Sequence, residues 1–439
     1  MTFEPMQFVT AMQQPAQTSV GGRPPASARA HASGDHPAGA FVRALDHFLR
    51  ATGHPLAEVE DILRTHPHFV PAHLLRLAIV VCAKDAAAAP RLAAALTDAE
   101  RAAAHAGERD NRHIAAARAW LAGKPLIAAE FYVSALREDA HDVLALRLAQ
   151  SCYFFLGYRS ALRRTVDKIL PAWTRNLQGY EHVLAISGFA YGETGDPWRA
   201  EALCLEALDI QPIFPFAIHA MAHVLHERGE HRRGIDWMRQ REPQWNTGGR
   251  MTGHNAWHLA MFDLSCGNRN SALEILDATL LPLAEESASN AADATALLWQ
   301  LQLDGASPGS RWSRLSECWS KQLVPGFSPF LDLHAAIAFN AARHPDRENA
   351  LARTIESTAR GSSYSEQAAR NVTLRGMPAI GAFATGAYRN ASEMLRAFAP
   401  AREKLGASHA QEGLFERMSR EAERHLAPGL SRDGVLKVA

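Results

Sequence analysis

Six glycines that recur at intervals of 34 or 38 residues constrain the fold of this chain more than any other feature of its sequence. They are Gly123, Gly157, Gly195, Gly229, Gly267 and Gly305. Four or five residues after each of the first five stands a small residue, and these are Ala128, Ala161, Ala200, Gly234 and Ala272. A glycine permits the sharp turn that ends a helix, and a small side chain lets the next helix approach closely. The pattern predicts tetratricopeptide-like helix–turn–helix repeats.

The rest of the chain also favours helices over strands. Alanine and leucine dominate, and 47% of the residues are hydrophobic, enough for a large core. The predicted fold class is therefore all-α, a tetratricopeptide-like helical-repeat solenoid. Residues 1–40 are rich in Pro, Gly, Ala, Gln and Ser and are predicted to be a disordered tail. The repeats are predicted over 41–310, and a helical C-terminal region that caps the solenoid over 311–439.

The charge balance and the cysteine pattern indicate the setting in which the chain works. Lys and Arg together number 46, as do Asp and Glu, so no nucleic-acid or anionic-membrane partner is predicted. The longest apolar stretch, near Leu77–Ala83, is too short to span a bilayer, and the N-terminus lacks an apolar leader. The five cysteines are scattered without a Cys-x-x-Cys pair, as is typical of reduced thiols. These features predict a cytoplasmic protein.

Two histidine pairs stand in adjacent repeats, His219 with His223 and His254 with His258. Each pair lies in the first helix of its repeat, and side chains four residues apart share one face of a helix. First helices line the inner face of such a stack, so we expect the two pairs to face a common space. The second of these helices is apolar nearly all round and is predicted to be buried. A buried imidazole needs a hydrogen-bond partner or a metal.

The paired spacing favours a metal site but leaves other interpretations open. Two imidazoles one helical turn apart form half of a familiar type of metal site, and four suit zinc, iron or copper better than calcium or magnesium. Neither pair has the His-Glu-x-x-His pattern, so the built-in base of that metalloprotease motif is missing. The alternatives are a non-metal ligand or catalytic use of the histidines, and a purely structural set of hydrogen-bonded core histidines.

Further candidate residues lie in the repeats that follow the pairs. His334 is a fifth candidate metal ligand, and Asp332 is a candidate catalytic carboxylate that could orient its imidazole. Asp293 is a candidate catalytic residue, and Trp299, on the same helix, is a candidate for the ligand pocket. Ordinary helix polarity would also account for Asp293.

Other candidates flank the histidine pairs. His226 and Trp257 stand on the same helices as the pairs and are candidates for the ligand pocket. Arg250 lies in the glycine-rich segment 246–254 and could reach an anionic ligand, although a plain connector is the simpler interpretation.

The C-terminal string GASHAQEGLFERM contains a helix start. Ser408 and Gln411 have the spacing of a capping box, which places His409 in the first turn of a helix. The positive helix terminus would keep His409 neutral and able to act as a ligand or base, so it is a candidate catalytic residue. Gln411 is a candidate for the ligand pocket.

Two classes of function are compatible with these residues. Walker loops, dinucleotide fingerprints, serine-centred elbows and Cys–His nucleophile signatures are missing from the sequence. The first hypothesis is a histidine-rich concave pocket that binds a transition metal or a small molecule and acts on a small metabolite, by hydrolysis or by metal-based oxidation. The alternative is a tetratricopeptide-type module that binds a protein partner without catalysis. A homo-oligomer is left open.

Five strings, taken in order, resemble the tetratricopeptide repeat protein 38 family: FAIHAMAHVLHERG, GHNAWHLAMFDLSCGNRNSALEILD, DATALLWQLQLDG, FLDLHAAIAFN and GASHAQEGLFERM. The resemblance covers about residues 40–430 and implies a tetratricopeptide-like helical fold, with little implied about chemistry. It also implies that certain positions belong to a shared pattern, namely His219, His223, His254, Asn255, His258, Asp293, Trp299, His334, His409 and Gln411. On this ground Asn255 joins the candidates for the ligand pocket. The chain departs from the pattern at His226, where the family has Glu, and at Glu412 and Gly413, where it has Arg-Asp.

Overall fold

The computed structural model describes residues 37–83, 88–104 and 106–426, and within these ranges the chain forms helices and connecting turns without a strand. The predicted all-α helical-repeat fold is confirmed. Most of the tail predicted over 1–40 lies outside the described residues, as do 427–439 of the predicted C-terminal region. The first described helix begins at Pro37, four residues before the predicted start of ordered sequence.

The helices follow one another as antiparallel hairpins. The first hairpins are α1 (Pro37–Arg50) and α2 (Pro55–Thr65), α3 (Val70–Ala83) and α4 (Ala89–Ala102), α5 (Glu108–Leu121) and α6 (Pro125–Glu138), and α7 (Val143–Phe155) and α8 (Arg159–Ile169). The next are α9 (Tyr180–Gly192) and α10 (Pro197–Ile210), α11 (Pro215–Glu227) and α12 (His231–Gln240), the short α13 (Glu242–Trp245), and α14 (Thr252–Ser265) and α15 (Arg269–Ile275).

The remaining helices complete the stack. They are α16 (Leu281–Ala284), α17 (Ala288–Leu303) and α18 (Arg311–Gln322), α19 (Pro329–Ala341) and α20 (Pro345–Thr358), α21 (Tyr364–Ala368), α22 (Leu374–Ala384) and α23 (Tyr388–Arg402), and α24 (His409–Leu426). Single π-helical turns, Leu276–Leu280 and Ala369–Thr373, join α15 to α16 and α21 to α22.

The glycine period corresponds to the turns inside the hairpins. All six glycines have φ between 67° and 84°, the left-handed conformation in which a side chain is strained. The small residues that follow them are buried in the helix contacts, as predicted. At Gly234 a Cβ atom would lie 2.7 Å from the ring of Phe262, so only glycine permits this approach of α12 to α14.

The first helices of successive hairpins pack against one another and form the inner layer of the solenoid. Helix α9 contacts α11, α11 contacts α14, α14 contacts α17, and α17 contacts α19. Nearly every residue of α11 and α14 is buried, which explains why their sequences are apolar on most sides. The inner layer is therefore where the histidine-bearing helices meet.

The C-terminal region returns to this inner layer. Helix α24 packs against α23 and also against α17 and α11, in the middle of the stack. The segment before it lies against the end of α7 so tightly that a Cβ on Gly157 would collide with the carbonyl oxygen of Glu403, and one on Gly406 with that of Phe155. The chain thus covers its own inner face.

None of the described helices combines the length and the apolar character that a bilayer span requires. Cys82, Cys152, Cys204 and Cys318 are buried among the packed helices, as expected for small core residues.

Candidate metal centre

The four paired histidines meet at one point between α11 and α14. One ring nitrogen from each of His219, His223, His254 and His258 lies within 4.8 Å of the others. Their contacting ring centroids are 4.4 to 5.2 Å apart. The expectation that both pairs face a common space is confirmed, and we call these four residues the histidine cluster.

Local sequence explains how each pair is presented. Pro215 occupies the first turn of α11, where its missing N–H is tolerated, so the helix runs straight into His219 and His223. On α14 the ring of Trp257 stacks on His254 at 5.2 Å, with an 8° interplanar angle, and meets His258 edge-on. The indole fixes both rings of this pair.

Two carboxylates stand behind the cluster. The Nδ1 of His223 lies 3.0 Å from Oε1 of Glu193, and the Nδ1 of His254 lies 2.8 Å from Oδ2 of Asp293. A carboxylate that receives the Nδ1 proton leaves Nε2 as a lone pair and fixes the ring orientation, as in the outer shell of metal sites. Glu193 and Asp293 thus hold two imidazoles in the tautomer that ligates a metal.

Two ring nitrogens of the cluster have no hydrogen-bond partner among the described residues. They are Nδ1 of His219 and Nε2 of His258, both buried. The Nε2 atoms of His219 and His223 lie 2.8 Å apart, a contact in which one nitrogen donates and the other accepts. Burial, with the neighbouring imidazoles, lowers the pKa of His219 and of His258 well below the usual value. Both rings are therefore neutral at pH 7, the form that binds metals.

The cluster forms one end of a cavity of about 260 Å³. His219, His223 and His254 line it, together with the aromatic rings of Phe154, Phe189, Phe216 and Phe330. Arg147 and Arg250 contribute its cationic groups, and Gly406, Ser408 and Gln411 close it from the C-terminal side. The predicted pocket residues Arg250 and Gln411 are thus placed in this cavity.

Three other residues predicted for the ligand pocket are not among those that line the cavity. Asn255 is buried and donates to the carbonyl of Pro215 at 3.3 Å, which ties α14 to the start of α11. Trp257 lies behind the histidines that it supports. Trp299 packs against Trp312 and Phe383 in the core. These side chains support the wall of the site rather than form it.

His226 and His409 lie in a neighbouring cavity of about 580 Å³, and Glu412 and Gly413 line it as well. Burial lowers the pKa of His226 to about 4. The backbone N–H of His409 donates to Oε2 of Glu193 at 3.2 Å, so the start of α24 is fastened to the carboxylate behind the cluster. The positions where the chain departs from the resembled family thus share this cavity, outside the histidine cluster.

Asp332 and His334 are buried and have partners of their own, which differs from the expectation that Asp332 orients His334. Asp332 accepts hydrogen bonds from the N–H of Gly326 at 3.0 Å and from the hydroxyl of Thr373 at 3.3 Å. Burial raises its pKa to about 7. The Nδ1 of His334 donates to the carbonyl of Phe330 at 2.7 Å, and this histidine is not part of the four-residue group.

Sequence reasoning missed two residues of the site, Glu193 and Arg147. Glu193 ends the first helix of the repeat before the histidine pairs, and it is 3% exposed. Arg147 interrupts the otherwise apolar helix VLALRLAQSCYFF. A charged residue in a mostly apolar helix indicates a candidate site residue, because burying a charge without a partner costs free energy.

The chain matches no protein-family model. Membership of the tetratricopeptide repeat protein 38 family therefore depends on the quoted strings alone and stays a prediction.

Proposed function

We propose that this protein binds one transition-metal ion through His219, His223, His254 and His258, and that a small molecule binds beside the ion in the adjoining cavity. The observation that carries the proposal is the convergence of four imidazoles within 4.8 Å. Imidazole nitrogens suit zinc, copper and iron rather than calcium or magnesium. Membership of the tetratricopeptide repeat protein 38 family is part of the same proposal.

A metal accounts for features that a structural role leaves unexplained. A buried polar atom without a partner costs about 1–3 kcal/mol, and His219 and His258 each have one. In a tetrahedral zinc site the ligand nitrogens are about 3.3 Å apart, since Zn–N is about 2.0–2.1 Å. To reach that separation the longer distances, up to 4.8 Å, would shorten, and the 2.8 Å contact between His219 and His223 would lengthen. Glu193 and Asp293 already supply the outer-shell hydrogen bonds.

The position of the cluster supports a role in small-molecule chemistry. Three of its four histidines line the cavity, so a ligand there would lie next to the ion. With a fifth coordination position open toward the cavity, a bound metal would supply either an activated water for hydrolysis or a redox centre for oxidation. Glu193 and Asp293 would keep the ligating rings in place, and the segment 406–411 would limit access of water. Asp332 and His334, with other partners, are assigned no step.

The alternative of a peptide-binding repeat module fits the geometry less well. Such modules hold an extended peptide in an open inner groove. Here α24 packs against α11 and α17 on that inner face, and its first residues close the cavity. A stoichiometric protein partner that is lost on mutation of Phe189 or Phe216 would favour the alternative.

Elemental analysis of protein purified without chelators tests the metal. We expect about one zinc, iron or copper ion per chain, and little metal in the double variant His223→Ala plus His258→Ala. The exposed His68 provides the matched control His68→Ala, which should retain the ion.

Circular dichroism establishes that each variant is helical, and the milder His258→Gln replaces the double variant if that protein is unfolded. Metal far below one ion per chain, at a level that neither cluster variant changes, would exclude the metal from the proposal.

A further inference from the structure

Building on the proposed ligand cavity, we propose that its ligand is a small organic acid with an apolar body, whose carboxylate is bound by Arg147 and Arg250. Both arginines line the cavity, and neither forms an ion pair with a carboxylate of the described residues. The proposal names the class of small molecule that the metal site would act on.

The surroundings of Arg147 are unusual for a cation. Its Nε is buried without a hydrogen-bond partner, and its guanidinium lies 4.5 Å from the centroid of the Phe216 ring. Other arginines in enclosed positions have carboxylates, as Arg228 has with Glu201. A guanidinium presents a planar set of donors that matches a carboxylate in two parallel bonds, and here that set faces the cavity.

Arg250 adds a second cation at the same cavity. Its Nη1 donates to the carbonyl of Cys82 at 3.3 Å, and this bond holds the side chain against the end of α3. Burial, and to a lesser degree the charge of Arg250, lower the pKa of Arg147 to about 10, so Arg147 stays charged at neutral pH. Two like charges that interact in an enclosed space are stabilised by an anion between them.

Among the described residues, the carboxylate in the cavity wall is paired with a histidine and with neither arginine. Asp293 is the carboxylate among the described lining residues, and its Oδ2 is bonded to His254. Arg147 lines the same cavity as His219 and His223. An acid group bound by Arg147 would therefore lie close to the histidine cluster.

The aromatic residues of the cavity wall determine which kind of ligand body fits beside the arginines. Phe154, Phe189, Phe216 and Phe330 offer ring faces and edges rather than hydrogen-bond donors. One water occupies about 30 Å³ of liquid, so about 260 Å³ holds a metabolite of modest size. Aromatic or branched aliphatic acids fit both the charge and the wall.

Calorimetric titration of the purified full chain with matched acids and amides tests this inference. The probes are phenylacetate, benzoate and isovalerate, each beside its uncharged amide. We expect at least one acid to bind about tenfold or more tightly than its amide, the size of a charged hydrogen-bonded contact. Arg147→Met and Arg250→Met should each weaken that acid about tenfold or more while the amide changes little.

The exposed Arg164, which donates to Ser160, gives the matched control Arg164→Met, and it should bind the acid like the natural protein. Arg147→Lys keeps the charge without the planar donors and should be intermediate, which also covers the case that Arg147→Met does not fold. The inference is overturned if no acid exceeds its amide, or if both arginine variants bind the acid unchanged.

Metal content measured on the same samples separates the two proposals. If the Arg147→Met variant retains the ion but loses acid binding, both proposals are supported. Acid binding that depends on the arginines in a chain without metal would retain this inference and remove the metal.

Discussion

Buried histidine meets buried carboxylate both around Asp142 and in the histidine cluster, and the two places differ in the number of imidazoles for each carboxylate. Asp142 is fully buried and its Oδ2 receives Nε of Arg109 and Nε2 of His113, each at 2.7 Å. Its Oδ1 receives the N–H of Ala145 at 2.8 Å and so caps α7. Burial alone would raise the pKa of Asp142, but His113 and Arg109 hold it well below the usual range.

In the histidine cluster the imidazoles outnumber the carboxylates. Four imidazoles share two carboxylates, and nitrogens of His219 and His258 lack a partner among the described residues, as Nδ1 of His113 does beside Asp142. Around Asp142 one histidine and one arginine converge on one carboxylate, which is the composition of a structural ion cluster. Under the proposed function, an excess of imidazole over carboxylate, rather than burial of histidine as such, marks the metal site.

The largest effect is expected from Asp142→Ala. The variant would remove the cap of α7 and leave Arg109 and His113 without the carboxylate that they share, which costs about 3–5 kcal/mol in free energy of unfolding. Urea denaturation measures this, and metal content should stay the same. Asp209→Ala, at an exposed ion pair with Arg175, should cost less than about 1 kcal/mol. Equal costs for the two variants would contradict the role assigned to Asp142.

Zinc should stabilise the protein through the cluster alone. At a free zinc concentration about 100 times its Kd, the free energy of unfolding should rise by about 2.7 kcal/mol relative to the chelated protein. His223→Ala plus His258→Ala should not respond, whereas Asp142→Asn should respond fully. A response that persists in the cluster variant would place the binding of zinc elsewhere.

The outer carboxylates should tune the metal more weakly than the ligands do. Glu193→Gln and Asp293→Asn should each reduce metal affinity by about 10- to 100-fold, because the ligating tautomer is then less favoured. Competition with a chromogenic chelator measures the change. Glu58→Gln is the matched control, since Oε1 of Glu58 lies 2.7 Å from Nδ1 of His47, outside the cluster. Unchanged affinity in both cluster variants would mean that these carboxylates have only a structural role.

The repeats and the pairing of histidines could be predicted because they depend on local spacing. Turn glycines and small contact residues report on neighbours within one hairpin, and the i, i+4 pairs report on one helix face. Glu193 comes from the preceding repeat and Asp293 from the following one, so their approach to the cluster depends on how hairpins stack. The sequence of a single repeat does not determine how the hairpins stack.

The neighbours of Trp299 and Asp332 could not be predicted from the sequence for a related reason. A helix in the inner layer is buried on most sides, so its polar and aromatic residues face several neighbours, and the sequence does not say which side is the cavity. Trp299 faces the core beside Phe383, and Asp332 faces Gly326 and Thr373. The return of α24 to the inner face likewise depends on long-range contacts with α11 and α17.

His334 provides the smallest effect and an intermediate case, a buried histidine with one backbone partner. Burial lowers its pKa to about 4, against the opposing effects of its bond to Phe330 and the charge of Asp293. The unfolded chain, with a histidine pKa near 6.5, therefore binds a proton first as the pH falls, and stability is lost below that value. Between pH 7 and pH 5.5 the loss from this residue should be about 1 kcal/mol.

Urea denaturation of the chelated protein at both pH values, compared with His334→Gln, isolates this contribution, because the other histidines titrate alike in the two proteins. The variant should be less stable at pH 7 yet lose about 1 kcal/mol less on acidification. Parallel losses in the two proteins would mean that His334 is not buried in its neutral form. The number of available hydrogen-bond partners would then not explain how His334 differs from the histidine cluster.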